Sequence, residues 1–302
     1  MPNVHLPIPR SSDVPWVVYA LVVAGCLLWG GNVVAGRVIA LSVPPLTAAT
    51  LRFGLASLLF LALLRARGLP MWPERRDRAR FVWLALCGYS LNNFLFYLGM
   101  SYTTAAEAGV VVGANPLITA GLAALILRES LGPTKLTGVS LSVVGVIVVI
   151  GTSGDFPFLS APNAFGDLLL LGNMVTWASY SIYGRDVLRR YSPLAATAYA
   201  CAFGTALLVP GALLELARTG WPVVTAAVVV AVLYAGTLAT VAANVWFYRA
   251  IAVLGPSRTG VFMALVPVSA VAISSVLLGE QLAPIQLLGA ILVVTGLYVA
   301  NR

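Results

Sequence analysis

Residues 129–145 read ESLGPTKLTGVSLSVVG, and residues 280–296 read EQLAPIQLLGAILVVTG. Glu129, Leu131, Pro133, Gly138 and Gly145 thus return 151 positions later as Glu280, Leu282, Pro284, Gly289 and Gly296. Working outward, the same offset carries Asn93, Phe96-Tyr97, Gly109-Val110 and Pro116 onto Asn244, Phe247-Tyr248, Gly260-Val261 and Pro267. Nearer the N-terminus the offset is 148. There Trp29, Gly36-Arg37 and Pro45-Leu46 meet Trp177, Gly184-Arg185 and Pro193-Leu194. Apolar sequence of low complexity matches Leu and Val by chance, but it does not readily match Asn, Tyr, Pro and Glu in register. The chain is read as an internal duplication, residues 1–152 and 153–302, with one three-residue shift after the second and seventh apolar runs.

Composition sets the medium. Of 302 residues, 60% are hydrophobic and 9% charged, where a soluble domain has about 45–50% and about 25%. A mean hydropathy of +0.95 leaves too little polar surface for a folded domain in water. This excludes a soluble protein, a disordered chain and a disulfide scaffold, and implies a polytopic membrane protein. Cys26, Cys87 and Cys201 are isolated within apolar runs and read as small buried hydrophobes. His5, the single histidine, lies in the N-terminal tail. A membrane enzyme therefore lacks histidine, a reactive-cysteine setting and a deep acid pair, so no catalytic residue, metal or cofactor is expected.

Apolar runs of spanning length fall roughly at 15–37, 46–65, 81–101, 105–127, 133–152, 165–185, 193–214, 227–249, 258–279 and 283–301. They are continuous and not alternating, which predicts helices and not barrel strands. The expected fold class is an all-α integral membrane protein of ten transmembrane helices. Fifteen of the 18 basic residues lie at the N-terminus, the C-terminus or the even-numbered loops; only Arg37 and Arg218 lie opposite, and Arg52 falls inside a span. The positive-inside rule then places both termini in the cytoplasm and the chain in the inner (plasma) membrane. The formal charge of +8 is a topology signal and not a nucleic-acid footprint. Five spans per copy is an odd number, so the second copy enters the membrane inverted, as in many secondary transporters. Two such halves can exchange conformations, opening a central site to one side and then the other.

The doubled pattern of Pro116, Glu129-x-Leu131-x-Pro133, Gly138 and Gly145, and of Pro267, Gly279-Glu280-x-Leu282-x-Pro284, Gly289 and Gly296, resembles the paired EamA domains of the drug/metabolite transporter superfamily. The resemblance covers essentially the whole chain. Arg128 stands where the second copy has Gly279. The resemblance implies ten helices in a basket around a central cavity and export of amino acids or other small metabolites; the bacterial exporters of aromatic amino acids are the members most similar in look.

Polar and aromatic residues within spans suggest the site. Tyr89, Asn93 and Tyr97 share one stripe of the third run, and Asn173, Trp177 and Tyr180 one stripe of the sixth. Asn244 marks the eighth run and Asn115 precedes Pro116 on the fourth. Tyr89, Asn93, Asn115, Trp177, Tyr180 and Asn244 are the candidate substrate-binding residues; the alternative is interhelical glue, with Tyr97, Tyr102 and Tyr248 as interfacial aromatics. Pro116 and Pro267, matched in the two copies, are candidate hinges or static kinks. Arg52 is a candidate carboxylate clamp, an ion-pair partner of Glu107, or an arginine reaching the headgroups. Gly138, Ser142, Gly145, Gly289 and Gly296 give close-packing faces; a homodimer through them is the alternative to a monomer.

The acids lie in loops or near span ends, with none at mid-span. A proton-coupled multidrug antiporter of the same fold, the alternative reading, wants such a carboxylate. A phosphorylated solute wants several buried cations. The expected cargo is thus a small neutral or zwitterionic metabolite, foremost a hydrophobic or aromatic amino acid, and the only other partner expected is the lipid bilayer.

Overall fold

The computed structural model describes residues 15–40, 42–100, 102, 115–128, 132–150, 164–222, 224–278 and 284–301. Among them there is no strand. The helices are α1 (Trp16–Ala40), α2 (Pro45–Ala66), α3 (Arg78–Ala85 and Leu91–Met100), α4 (Asn115–Leu127), α5 (Pro133–Ile150), α6 (Ala164–Val187), α7 (Pro193–Thr219), α8 (Ala226–Gly236 and Ala243–Leu254), α9 (Pro256–Val261 and Leu265–Leu278) and α10 (Pro284–Ala300). They occupy the apolar runs of the sequence. Four stretches, Trp16–Gly36, Pro45–Ala66, Pro193–Thr219 and Ala226–Leu254, are long and apolar enough to cross a membrane.

Prolines and glycines set the boundaries. Pro45, Pro193 and Pro256 start helices at the position where a missing N–H costs nothing. Gly220 and Gly255 leave α7 and α8 with φ of 76° and 81°, the left-handed region glycine adopts freely. Arg128 holds φ 53° just beyond α4, a conformation its Cβ disfavours.

The core is built of small and aromatic side chains: Ala56, Ala196, Ala243, Ala250, Tyr180, Phe60 and Phe247 are buried. The outer surface carries exposed Leu125, Leu168, Leu213, Leu214, Val230 and Ile291. Such a distribution buries little by the hydrophobic effect in water but suits lipid, where close packing of small residues holds helices together.

Helix contacts respect the sequence offset. α5 packs along α10 and α2 along α7. α3 packs on α6 as α8 packs on α1, and α1 on α9 as α6 on α4. Side chains at matched positions also touch directly. Ser57 Oγ and Thr205 Oγ1, 148 residues apart, share a hydrogen bond of 2.9 Å. Between α5 and α10, a methyl group on Gly145 would lie 2.7 Å from Gly289 O, and one on Gly138 would lie 2.7 Å from Gly296 O. The glycine faces read from the sequence therefore meet each other within the chain.

Candidate transport site

Two of the helices are interrupted at matched places. Leu86–Ser90 of α3 and Thr237–Ala242 of α8 are π-helical turns. A π-turn adds a residue and shifts the hydrogen-bond ladder, leaving backbone carbonyls to be satisfied by other donors. Side chains supply these. Ser90 Oγ donates to Ala85 O, at 3.4 Å, and to Gly204 O, at 3.1 Å; Thr240 Oγ1 donates to Ala235 O at 2.7 Å. Just downstream, Asn93 Nδ2 donates to Tyr89 O at 2.7 Å and Asn244 Nδ2 to Thr240 O at 2.8 Å. Each asparagine thus ties an amide N–H to its own helix.

Around these turns lies a continuous aromatic cluster. The Trp29 and Trp177 rings meet edge-on at 5.5 Å. Phe247 packs on both, at 5.2 and 5.6 Å. Tyr180 packs on Trp177 at 5.4 Å, on Tyr248 at 4.7 Å and on Tyr89 at 5.7 Å. Tyr89 continues to Phe53 at 5.2 Å. Edge-on and tilted ring pairs satisfy the aromatic quadrupoles. Polar handles are mostly matched inside the cluster: Trp29 Nε1 donates to Ala239 O at 2.8 Å, Tyr248 Oη donates to Tyr180 O at 3.1 Å, and the Tyr89 and Tyr180 hydroxyls share a bond of 3.3 Å. Trp177 Nε1 is buried without an acceptor.

Arg52 borders this cluster. Its Nε donates to Thr240 Oγ1 at 2.9 Å, and its guanidinium stands 4.9 Å from the Phe53 ring centre. The bond runs across to the π-turn of α8, so the arginine is engaged in the helix bundle. Glu107, the acid paired with it in the sequence reading, lies outside the described residues.

The structure thus brings Tyr89, Trp177 and Tyr180 together, with Asn93 and Asn244 at the matched turns beside them. Asn115 sits apart, buried at the start of α4, where its Oδ1 accepts from Thr119 Oγ1 at 3.0 Å. Pro116 is buried in the same turn, while the residues before Asn115 are not described. Pro267 follows a 3₁₀ turn, Phe262–Ala264, that divides α9; a proline there cannot return a hydrogen bond to the preceding turn. Tyr248 corrects the interfacial-aromatic reading: it is fully buried because its ring stacks on Tyr180 and its hydroxyl has a backbone acceptor. Tyr102 is half-exposed at the end of α3, and the Tyr97 side chain is outside the described set. Asn92 and Asn173 form a reciprocal pair, each amide donating to the other's backbone carbonyl at 2.9 and 2.8 Å. At the matched place on α1 and α8, Gly25 and Ala243 lie against each other.

Residues that sequence reasoning passed over include Trp29, noticed only as a repeat marker, and Asp77. Asp77 is 2% exposed, paired with Arg80 at 3.0 Å and Arg190 at 3.4 Å and accepting from Tyr191 Oη at 3.1 Å. Burial, together with that carboxylate, raises the Tyr191 phenol pKa. At the far end of α7, Glu215 accepts from Leu46 N, Thr47 N and Thr47 Oγ1 at 3.2, 2.7 and 2.8 Å. It caps α2, whose own N-cap is Pro44 with no side chain to serve. Glu215 thus ties α7 to the start of α2, while Asp77 ties the start of α3 to the α6–α7 loop.

Comparison with known proteins agrees with this architecture. A solved crystal structure with 22% sequence identity superposes with a TM-score of 0.78, covering 94% of this chain and 98% of its own; at that identity it speaks for the fold alone. An uncharacterized transporter of Archaeoglobus fulgidus is 31% identical over 91% of this chain and 94% of its own. A probable amino-acid metabolite efflux pump of Salmonella typhimurium is 28% identical over 90% and 91%. The sequence profile of the EamA-like transporter family matches twice, over residues 16–151 and 164–302. The two matched stretches carry the π-turns at matched places and the glycine faces and tryptophans that touch, and the chain belongs to the EamA-like transporter family.

Proposed function

We propose that the protein is a secondary transporter of the inner (plasma) membrane that exports small neutral or zwitterionic metabolites, foremost hydrophobic and aromatic amino acids, by alternating access. Ten spans form two inverted five-helix copies, 1–152 and 153–302, with both termini cytoplasmic. The offset-matched helix contacts and the paired π-turns support this arrangement. A single chain contains both halves, so a monomer suffices.

The observation that carries the substrate reading is the aromatic cluster of Trp29, Trp177, Tyr180 and Phe247 where the two copies meet, with Arg52 bordering it through Thr240 and Phe53. Aromatic faces receive an apolar side chain, and a guanidinium favours a carboxylate. A zwitterion brings its own compensating charge, whereas a free phosphate in such a setting leaves charge unpaired. Pro116 and Pro267 supply flexible points in α4 and α9. The similarity to a probable amino-acid metabolite efflux pump is in keeping with this cargo.

Expression in a bacterial host tests the reading. Cells should gain resistance to p-fluorophenylalanine and accumulate less of it, with no protection against ethidium. Protection against ethidium that collapses with the proton gradient would favour a proton-coupled multidrug antiporter instead.

A further inference from the structure

Trp29 and Trp177 hold the same place in the two copies and their rings touch, yet only one has a partner for its N–H. Trp29 Nε1 donates to Ala239 O, a carbonyl of the π-turn Thr237–Ala242. The sequence offset of 151 carries Ala239 back to Gly88, inside the matching π-turn Leu86–Ser90. α6 packs across that turn as α1 packs across its counterpart. Trp177 Nε1 nevertheless has no acceptor although it is buried, and a buried donor without an acceptor is costly. Tyr180 explains the difference: a methyl group on Gly88 would lie 2.5 Å from the Tyr180 ring, so that ring covers the backbone Trp177 would otherwise reach. The counterpart of Tyr180 in the first copy is the smaller Asn32, whose Oδ1 is itself unpartnered.

We propose that the two indoles take turns. In the conformer described here Trp29 holds the Ala239 carbonyl. In the opposite-facing conformer Tyr180 moves off Gly88, Trp177 donates to Gly88 O, and Trp29 releases Ala239. The proposal rests on the alternating-access reading and gives that cycle a one-for-one exchange. Each end state holds one indole–carbonyl bond, so the pair favours neither; between them both donors are unpaired, which keeps the two states distinct. Trp29 and Trp177 act here as positioning residues of the cycle, apart from any contact their rings make with cargo.

The test is a distance measurement on the full-length protein in lipid nanodiscs. Spin labels are placed at the exposed pair Ala79 and Ala252, and separately at the exposed pair Tyr102 and Val230; the native cysteines are buried and escape the label. Trp29→Phe removes the bond of the present conformer and should lower its population relative to the other state about tenfold, the scale of one hydrogen bond in a dry site. Trp177→Phe should raise it by a similar factor. Opposite shifts are the expected result; shifts of the same sign, or none, overturn the proposal. Should phenylalanine's smaller ring disturb folding, benzothienylalanine at each position keeps the bicyclic shape and deletes only the N–H, and must give the same opposite signs. A wild type with one distance at each pair, with and without phenylalanine, would remove alternating access and this proposal together. Two wild-type populations left unmoved by the variants would remove the proposal alone.

Discussion

Trp177 brings a ring and an N–H to the middle of the molecule, and the ring can be tested by itself. It lies against Trp29, Phe247 and Tyr180, the faces that the proposed aromatic cargo would use. Trp177→Ala should cut phenylalanine and tryptophan flux about tenfold, the scale of one aromatic contact, and threonine flux by much less. Equal losses for all three, measured in proteoliposomes, would mean the ring only supports packing. A second residue-scale expectation concerns Tyr191, which donates to the buried Asp77 carboxylate and has a raised phenol pKa. A raised folded-state pKa stabilises below the ordinary phenol value near 10 and is lost as pH climbs through the folded value. The melting temperature should therefore exceed that of Tyr191→Phe by a constant margin from pH 7 to about 10, and the margin should shrink above. A margin that widens above pH 10 would refute the assignment. Some of this was legible in the residues: Asn93, Asn244, Trp177 and Tyr180 stood out because polar and aromatic groups inside apolar runs are rare. The use of the asparagine amides was not legible, since it depends on a local helix type. Asp77 looked like an ordinary loop acid because its partners Arg190 and Tyr191 lie 113 and 114 residues away.

The helices themselves were readable from continuous hydropathy, and the copies from Gly, Pro and Asn in register. The π-turns were not, because an extra residue per turn leaves hydropathy unchanged; the visible traces are the hydroxyl at Ser90 or Thr240 and the asparagine that follows. Pro267 was readable, but the 3₁₀ turn that precedes it in α9 was not. The α5–α10 contact was readable as glycine spacing but not as a pairing, because spacing does not say which face a helix meets. There Gly145 lies close to the Gly289 and Val293 backbone. Gly145→Leu should force the helices apart and cost several kcal/mol, in the range of severe overpacking. Fluorescence-detected size exclusion should show loss of the monodisperse peak. Gly121, with nothing near the position of a side chain, should accept Ala without loss; equal damage at both sites would contradict the packing account.

At the scale of the whole molecule, charge and symmetry make different demands on one another. In the proposed topology the basic residues keep the even loops in the cytoplasm, and an odd number of spans per copy inverts the second. A cysteine placed at Asp155 or Ser160, between the copies, should react with an impermeant reagent from outside intact cells; reaction only after permeabilisation would reverse the topology. The absence of a mid-span acid in the sequence predicts facilitated exchange with weak proton coupling at most. Composition and repeat pattern carry this far because they are global properties; the proposed cargo site depends on a few side chains where the copies meet. The most direct test is counterflow. Proteoliposomes loaded with unlabelled phenylalanine and diluted into labelled phenylalanine should show a transient accumulation of label above its equilibrium level, without an imposed ion gradient. Label that only equilibrates, at the rate seen in protein-free vesicles, would contradict alternating-access transport of aromatic amino acids by this protein.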